Sequence, residues 1–158
     1  DEADFIVACL QSWQAVGRSW SDIHIVVHPA EDLDKYRRLA SAYSEDVACI
    51  RDSERRESSV GLMLGMFSSV MNRSVMQGIP TASVQPAGGE RDVCHLSALG
   101  FIPRFVDGDS LSRFLAQGPA AWRDSSRAAT AHIQAVVEGS LRRLEDYLDS
   151  KDTEAASA

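Results

Sequence analysis

The sequence lacks the short motifs by which several large enzyme classes are recognised. It contains no GxxxxGK[ST] segment, which excludes a P-loop, and no GxGxxG segment, so the dinucleotide-binding fingerprint is absent. It also has no GxSxG elbow, which argues against an esterase. No internal repeat is present, and biased composition is confined to the polar C-terminal end. Any functional site must therefore be built from less familiar combinations of residues.

Positive charge and long apolar runs are also scarce. The net charge is −7 and the pI is about 5.0, so a nucleic-acid partner is not expected. No apolar run approaches the ~20 residues of a membrane span, and no signal peptide is visible. The three cysteines, Cys9, Cys49 and Cys94, form no CxxC pair, which does not favour a disulfide or a zinc site. We expect buried, reduced thiols in a cytoplasmic protein without a transmembrane segment.

The remaining composition is typical of one globular domain. Apolar residues make up 44% and charged residues 25% of the 158 positions, and this length is enough to bury a sizeable core. We predict a nucleotide-sugar-binding domain over 1–118, a helical extension over 119–149, and a disordered polar tail over 150–158. Because the sequence begins at Asp1 and not at a methionine, we expect a domain cut from a longer protein.

Strand and helix patterns alternate along the chain. Short apolar runs predict strands at 23–27, 47–50, 66–67, 81–84 and 101–106, the last an edge strand because it contains Pro103. Helical patterns lie between them, with Asp32 as one predicted N-cap and Asp109 or Ser110 as another. This alternation predicts an α/β fold with a Rossmann-like, doubly wound, mainly parallel sheet and a long C-terminal helix. In such sheets ligands bind at the carboxyl ends of the strands.

The N-terminal segment allows two interpretations. A helix over 1–16, ending near Gly17, is favoured because its apolar residues recur on one helical face. The consecutive apolar residues from Phe5 to Leu10 also suit a buried strand, and both interpretations stay open at this point.

The segment from Gly65 to Pro86, GMFSSVMNRSVMQGIPTASVQP, carries the strongest site pattern. A short strand leads to Ser68 and Ser69, then to a helix that Gly78 terminates, and then to a second strand. Both serines would lie at a helix N-terminus, where unpaired N–H groups and the helix dipole favour an anion such as a nucleotide phosphate. A plain N-cap without a ligand explains serine at this position equally well.

His28-Pro29 ends a strand at the same predicted edge. The histidine could donate a ring N–H to a phosphate or stabilise a leaving phosphate, and a turn histidine without a ligand is the alternative. The other histidines have no ligand partner at a suitable spacing, so we predict no metal site.

The loop from Gln85 to Glu90 is the third candidate at this edge. It contains Gly88 and Gly89, and the carboxylate of Glu90 could accept hydrogen bonds from a ribose or another sugar. Arg51 could reach a base or phosphate from a neighbouring loop, but acidic residues are interleaved with the arginines there, which favours a solvated charge cluster.

Together these segments resemble the C-terminal, donor-binding half of a GT-B glycosyltransferase. The resemblance covers Ile23 to Leu115 and is carried by IHIVVHPAED, by the serine segment quoted above and by LGFIPRFVDGDSLSRFLA. The most similar group is the bacterial one with an HP motif and a serine motif. It includes sialyltransferases and capsule or teichoic-acid polymerases that use CMP- or CDP-activated donors.

The resemblance implies a role for each candidate residue. His28 would be catalytic, because it would contact the donor phosphate and assist its departure, and Ser68 and Ser69 would hold that phosphate. The other implied substrate-binding residues are Pro29, Gln85, Gly88, Gly89 and Glu90. The implied substrate is a CMP-, CDP- or UDP-linked sugar used in bacterial surface polysaccharide or glycan synthesis, with no cofactor. The family's acidic general base lies in an N-terminal half, so this chain would need that half as a partner and would be inactive without it.

The resemblance also bears on the N-terminal segment. The family's half-fold opens with a central strand before its first helix. If residues 1–16 form a helix, that strand would lie upstream of Asp1, whereas a strand over Phe5 to Leu10 would complete the domain.

Two other functions are compatible with the sequence. One is a sugar-nucleotide epimerase of similar architecture, whose carboxylates would come from Glu31, Asp32, Glu90 and Asp92. The other is a non-enzymatic α/β module that docks a partner, or a second copy in a homodimer, through the apolar stripe from Ile133 to Leu148 on the last helix.

Overall fold

The structure is a computed structural model that describes residues 2–54, 60–67, 69–86 and 91–156. The helices are α1 (Glu2–Ala15), α2 (Leu33–Ser41), α3 (Ser69–Met76), α4 (His95–Ala98), α5 (Gly108–Gln117) and α6 (Pro119–Ala156). The strands are β1 (His24–Val27), β2 (Ala48–Arg51), β3 (Met63–Gly65), β4 (Thr81–Val84) and β5 (Arg104–Phe105). The predicted α/β class is therefore confirmed.

The described strands form two parallel sheets and not one continuous sheet. In the first, β1 pairs with β2, with His24 opposite Ala48. In the second, the order is β3-β4-β5, with Met63 opposite Thr81 and Ser83 opposite Arg104. The parallel pairing agrees with the prediction, as does the edge position of β5, which follows Pro103. The expected single sheet is not formed, because no described strand pairs with both β1 and β3.

Helix α1 resolves the open question about the N-terminal segment in favour of a helix. Ile6 and Leu10 pack on the cluster formed by β1, β2 and α2, whereas Cys9 and Trp13 pack on the cluster formed by β4, α5 and α6. Two adjacent faces of one helix are thus buried at once, which explains the consecutive apolar residues from Phe5 to Leu10. The strand interpretation of that run is wrong.

Helices α1 and α5 run side by side in the same direction. The Ser12 hydroxyl near the end of α1 donates to the Gly108 carbonyl at the start of α5 (3.2 Å), and the guanidinium of Arg18, which follows α1, donates to the Leu115 carbonyl near the end of α5 (3.2 Å). A short connection joins α1 to β1, and another joins β5 to α5. Each of these helices packs against the sheet of the strand to which it is joined, and therefore runs opposite to that strand. The strands of the two sheets consequently point the same way, and their carboxyl ends lie on the same side of the molecule.

Several predicted boundaries are corrected by hydrogen bonds. The strand predicted at Met66-Phe67 lies at 63–65 instead, because the Met66 carbonyl accepts from the Ser83 hydroxyl (2.8 Å) and Phe67 is exposed. The α5 cap is Asp107 and not Asp109 or Ser110, since its carboxylate accepts from the Ser110 N–H (2.7 Å). The cap at Asp32 is confirmed by its bond from the Asp34 N–H (2.9 Å).

The long helix α6 continues past Asp149, the predicted end of the helical extension. Ile133 is half-buried against the cluster that contains Met71 and Val75, whereas Val136 is exposed. The other residues of the predicted apolar stripe, Val137, Leu141, Leu144 and Leu148, lie outside the described side chains. Within the described parts of the chain, none of the helices combines the length and hydropathy that crossing a bilayer requires.

The three cysteine thiols are free, and Cys9 and Cys94 are buried. Cys49 is only half-buried, so the prediction of buried thiols is confirmed for two of the three. Burial raises the pKa of the Cys9 thiol, which keeps it protonated and makes it an inert part of the core.

Gly78 ends α3 as the sequence predicts. Its φ is +72°, its N–H donates to the Val75 carbonyl (3.0 Å), and the Ile79 N–H donates to the Ser74 carbonyl (2.9 Å). These two bonds form a Schellman motif, in which a left-handed residue satisfies the last carbonyls of the helix. The tight turn lets β4 begin at Thr81 and keeps α3 against its sheet.

Replacing Gly78 with alanine should lower the free energy of unfolding by about 1 kcal/mol, because a Cβ is strained at this positive φ. Urea denaturation measures the change. Gly61→Ala is the matched control, since Gly61 has no positive φ and a Cβ there would meet nothing within 4 Å. Equal losses in the two variants would show that the left-handed turn is not the cause.

Candidate functional site

The candidate residues follow the strands at the shared carboxyl edge. His28 and Pro29 come directly after β1 and are exposed, Ser69 is the exposed first residue of α3, and Gln85 comes directly after β4. Four further predicted site residues, Ser68, Gly88, Gly89 and Glu90, lie outside the described residues. The structure therefore describes one part of the predicted site on each sheet.

The ring of His28 has a defined hydrogen-bonding pattern. Its Nδ1 accepts from the Ala30 N–H (3.2 Å), so the proton of the neutral imidazole is on Nε2. The Glu31 N–H donates to the His28 carbonyl (2.9 Å), which closes a turn around Pro29. His28 thus offers an Nε2–H donor from an exposed, backbone-fixed position at the end of β1.

Arg51 holds this turn in place from the end of β2. Its guanidinium donates to the carbonyls of His28 (2.6 Å) and Glu31 (3.1 Å). The buried Tyr36 hydroxyl donates to Glu2 (2.8 Å) and contacts Glu31 (3.4 Å), which ties the start of α1 to the same edge. Burial and these two carboxylates raise the pKa of Tyr36, so the phenol remains a donor. In this structure Arg51 is a support of the His28 turn, a role that the sequence pattern did not indicate.

The turn from β3 into α3 is fixed by close packing. A Cβ at Gly65 would lie 2.7 Å from the Met71 sulfur, so glycine lets the buried Met71 side chain pass beneath the end of β3. The Ser83 hydroxyl holds the Met66 carbonyl (2.8 Å) from β4. These contacts set the direction in which the chain enters α3 at Ser69.

Gln85 connects that turn to the loop before α4. Its side chain is buried, and its Nε2 donates to the Ser83 hydroxyl (2.8 Å) and to Asp92 (2.6 Å). Its Oε1 accepts from the Val93 N–H (3.2 Å). The amide is thus used for protein contacts in this structure, and a direct contact between Gln85 and a substrate stays a prediction.

Asp92 is the centre of this network. One carboxylate oxygen accepts from Gln85 Nε2 (2.6 Å), the Cys94 N–H (2.9 Å) and the Ser97 hydroxyl (2.9 Å), and the other lies 3.9 Å from Arg104 Nε. Partial burial would raise the pKa of Asp92, but the three hydrogen bonds and the Arg104 charge together hold it below its usual value. The carboxylate is therefore ionised at neutral pH.

From the sequence, Asp92 is only a candidate catalytic carboxylate of the alternative epimerase function. Its partners are 5 to 12 positions away along the chain in Gln85, Ser97 and Arg104, and no spacing rule connects such residues. The one local signal is the bond to the Cys94 N–H, two residues on, which is typical of Asp before a helix. Among the described residues, no group of three or more His, Cys, Asp or Glu side chains is arranged to hold a metal ion.

Comparison with known proteins does not assign this edge to a family. No family model matches the chain, and no curated protein or solved structure matches it. The chemistry of the site therefore has to be judged from the residues and hydrogen bonds described above.

Proposed function

We propose that this chain binds the nucleotide-sugar donor of a GT-B glycosyltransferase at the carboxyl edge of its parallel strands. The observation that carries the proposal is that a donor follows a strand in each sheet: the Nε2–H of the exposed His28 comes after β1, and the N-terminus of α3 with Ser69 comes after β3. A nucleoside diphosphate or monophosphate sugar offers the anionic oxygens that both donors suit. The two sheets would be the two halves of a Rossmann-like arrangement.

The chemistry follows from where charge develops during glycosyl transfer. When the bond between the sugar and the phosphate breaks, the leaving nucleotide gains negative charge on phosphate oxygens. A hydrogen bond from His28, and the first N–H groups of α3 together with the Ser69 hydroxyl, stabilise that charge more than they stabilise the intact donor. The base that activates the acceptor would come from a separate acceptor-binding half, in a cytoplasmic bacterial enzyme of surface polysaccharide or glycan synthesis.

The described carboxylates favour a transferase over an epimerase. Asp32 caps α2, Glu31 is in contact with the Tyr36 hydroxyl, and Asp92 accepts three hydrogen bonds in its own network. Each has a structural task that explains its presence, whereas an epimerase needs carboxylates directed at the sugar. The remaining candidate, Glu90, lies outside the described residues.

Titration calorimetry with CMP, CDP, UDP and GDP tests the proposal directly. We expect one of these nucleotides to bind, and we expect Ser69→Ala and His28→Ala each to weaken that binding about tenfold, which corresponds to ~1.4 kcal/mol. No binding of any nucleotide at millimolar concentration would refute the proposal.

Two matched variants control for non-specific effects. His24→Ala removes an exposed imidazole at the opposite end of β1, and Ser41→Ala removes an exposed hydroxyl at the C-terminal end of α2. Both should bind the nucleotide as the parent chain does. Equal weakening in the control and site variants would mean that His28 and Ser69 have no specific role.

A further inference from the structure

A cavity of about 330 Å³ lies between the end of α3 and the first half of α6, a volume typical of small-molecule sites. It is lined by the glycine that ends α3 and by polar residues from one face of α6, namely Gly78, Arg123, Ser126, Arg127, Thr130 and Gln134. Gly78 comes shortly before β4. The cavity therefore lies at the amino end of that strand, away from the carboxyl edge that holds the candidate site.

Hydrogen bonds fix the walls of this cavity. The buried Ser126 hydroxyl accepts from the Thr81 N–H (3.1 Å), which joins α6 to the start of β4. The Thr130 hydroxyl donates to the Ser126 carbonyl (3.1 Å), and Ile133 packs on the cluster to which α3 contributes. Because these contacts hold α6 against α3 and β4, the cavity is formed before any ligand binds.

Two arginines give one end of the cavity a positive charge. Arg123 and Arg127 are exposed and lie one turn apart on α6, about 6 Å along its axis. Arg127 donates to Asp124 (2.6 Å), whereas Arg123 has no hydrogen-bond or ion-pair partner among the described residues. Like charges at this spacing disfavour a helix, and the chain as a whole carries a net charge of −7. This end of the cavity is therefore suited to an anion.

The groups at the other end suit neutral hydroxyls. Gly78 ends α3, and the C-terminus of a helix carries a partial negative charge that attracts hydrogen-bond donors. The Thr130 hydroxyl uses its proton on the Ser126 carbonyl and can only accept from a ligand, whereas the Gln134 amide can both donate and accept. The cavity thus matches a molecule with an anionic group at one end and hydroxyl groups at the other.

We propose that this cavity binds a small sugar phosphate, with the phosphate on Arg123 and Arg127 and the sugar hydroxyls beside Gly78, Thr130 and Gln134. The three free oxygens of a phosphate monoester can accept from both guanidinium groups at once, whereas a single guanidinium already occupies both oxygens of a carboxylate. The site does not depend on the proposed nucleotide-sugar site, because it is built from other residues at the opposite end of the strands.

Titration of the isotope-labelled chain with glucose 6-phosphate, followed by amide chemical shifts, tests this site. We expect the Gly78 and Thr130 amides to shift with a dissociation constant of about 1 mM, and Arg123→Gln combined with Arg127→Gln to weaken binding about tenfold or more. The matched control is Arg142→Gln with Arg143→Gln, which removes the same charge from exposed positions further along α6. It should bind as the parent chain does.

A variant that changes no charge tests the cavity itself. Ala131 is exposed and also lines the cavity, so Ala131→Phe should fill part of it and weaken binding about tenfold. Glucose should not bind, and inorganic phosphate should bind about tenfold more weakly than glucose 6-phosphate. His28→Ala and Ser69→Ala should leave glucose 6-phosphate binding unchanged, so this site and the nucleotide site can fail independently.

Four results would overturn the proposal. The first is the absence of shifts at Gly78 and Thr130 in the parent chain, which does not require any variant to fold. The second is equal weakening by the two arginine pairs, which would mean that only net charge matters. The third is unchanged binding in the Ala131→Phe variant, and the fourth is inorganic phosphate binding as tightly as the sugar phosphate.

Discussion

Replacing Leu10 with alanine should lower the free energy of unfolding by about 3 kcal/mol. Leu10 is fully buried on α1, in the cluster that includes Val27 of β1 and Tyr36 of α2. The substitution removes buried methyl and methylene groups and leaves a cavity, because the surrounding helices and strand can close only partly around it. The cost is the loss of hydrophobic transfer energy together with the cavity term.

Urea denaturation, monitored by tryptophan fluorescence, measures this loss. Leu99→Ala is the matched control, because Leu99 is 54% exposed and its truncation should change the free energy of unfolding by no more than about 0.5 kcal/mol. Leu10→Met, which nearly conserves volume, should cost less than about 1.5 kcal/mol. A Leu10→Ala loss as small as that of the Leu99 variant would contradict the packing of α1 against β1.

The features that sequence reasoning predicted correctly have local causes. Gly78 is recognisable because a left-handed C-cap needs a glycine directly after the helix, and Asp32 because its side chain caps an N–H two residues on. Pro80 directly precedes the strand from Thr81 to Val84, and Pro86 follows it two residues later. Nearby residues therefore also determine where this strand begins and ends. The sequence of α1 fits either a helix or a strand because the helix buries two faces, which is a property of its surroundings.

The division into two sheets could not be predicted in this way. Whether two strands share a sheet depends on the packing of segments far apart in the sequence, and the residues of β1 and β3 alone do not specify it. The shift of the β3 strand to 63–65 has a similar origin, because the bond from Ser83 to the Met66 carbonyl comes from another strand.

The sequence predicts which residues lie at the candidate site, but it does not predict the hydrogen bonds that their side chains make. The pattern of strands followed by His28 or by Ser69 predicts which residues lie at the carboxyl edge, because parallel strands share that edge. It does not predict that Arg51 supports the His28 turn, or that Gln85 is directed towards Asp92 and Ser83. Side-chain orientation decides those contacts, and it depends on packing among segments distant in sequence.

The network around Asp92 leads to the second large effect. Asp92→Asn should lower the free energy of unfolding by about 2 kcal/mol at pH 7, because hydrogen bonds to a charged acceptor are stronger than those to a neutral one. The pKa of Asp92 is lower in the folded chain than in the unfolded chain, so in the pH range of these two values the folded state binds fewer protons than the unfolded state does. Its stabilisation is therefore complete above the unfolded pKa of about 3.9 and is lost as the pH falls through the lower folded value.

Urea denaturation between pH 7 and pH 3 distinguishes this electrostatic effect from a packing effect. The difference between parent and Asp92→Asn should be constant down to about pH 5 and should shrink below about pH 4. Asp124→Asn is the control, since Asp124 is exposed on α6 and its pair with Arg127 should contribute at most about 1 kcal/mol. A difference that persisted unchanged to pH 3 would exclude the charge of Asp92 as its cause. Because Gln85 and Ser83 link Asp92 to the Met66 carbonyl, the same variant should also weaken the proposed nucleotide binding at the start of α3, although Asp92 itself is not a proposed ligand contact.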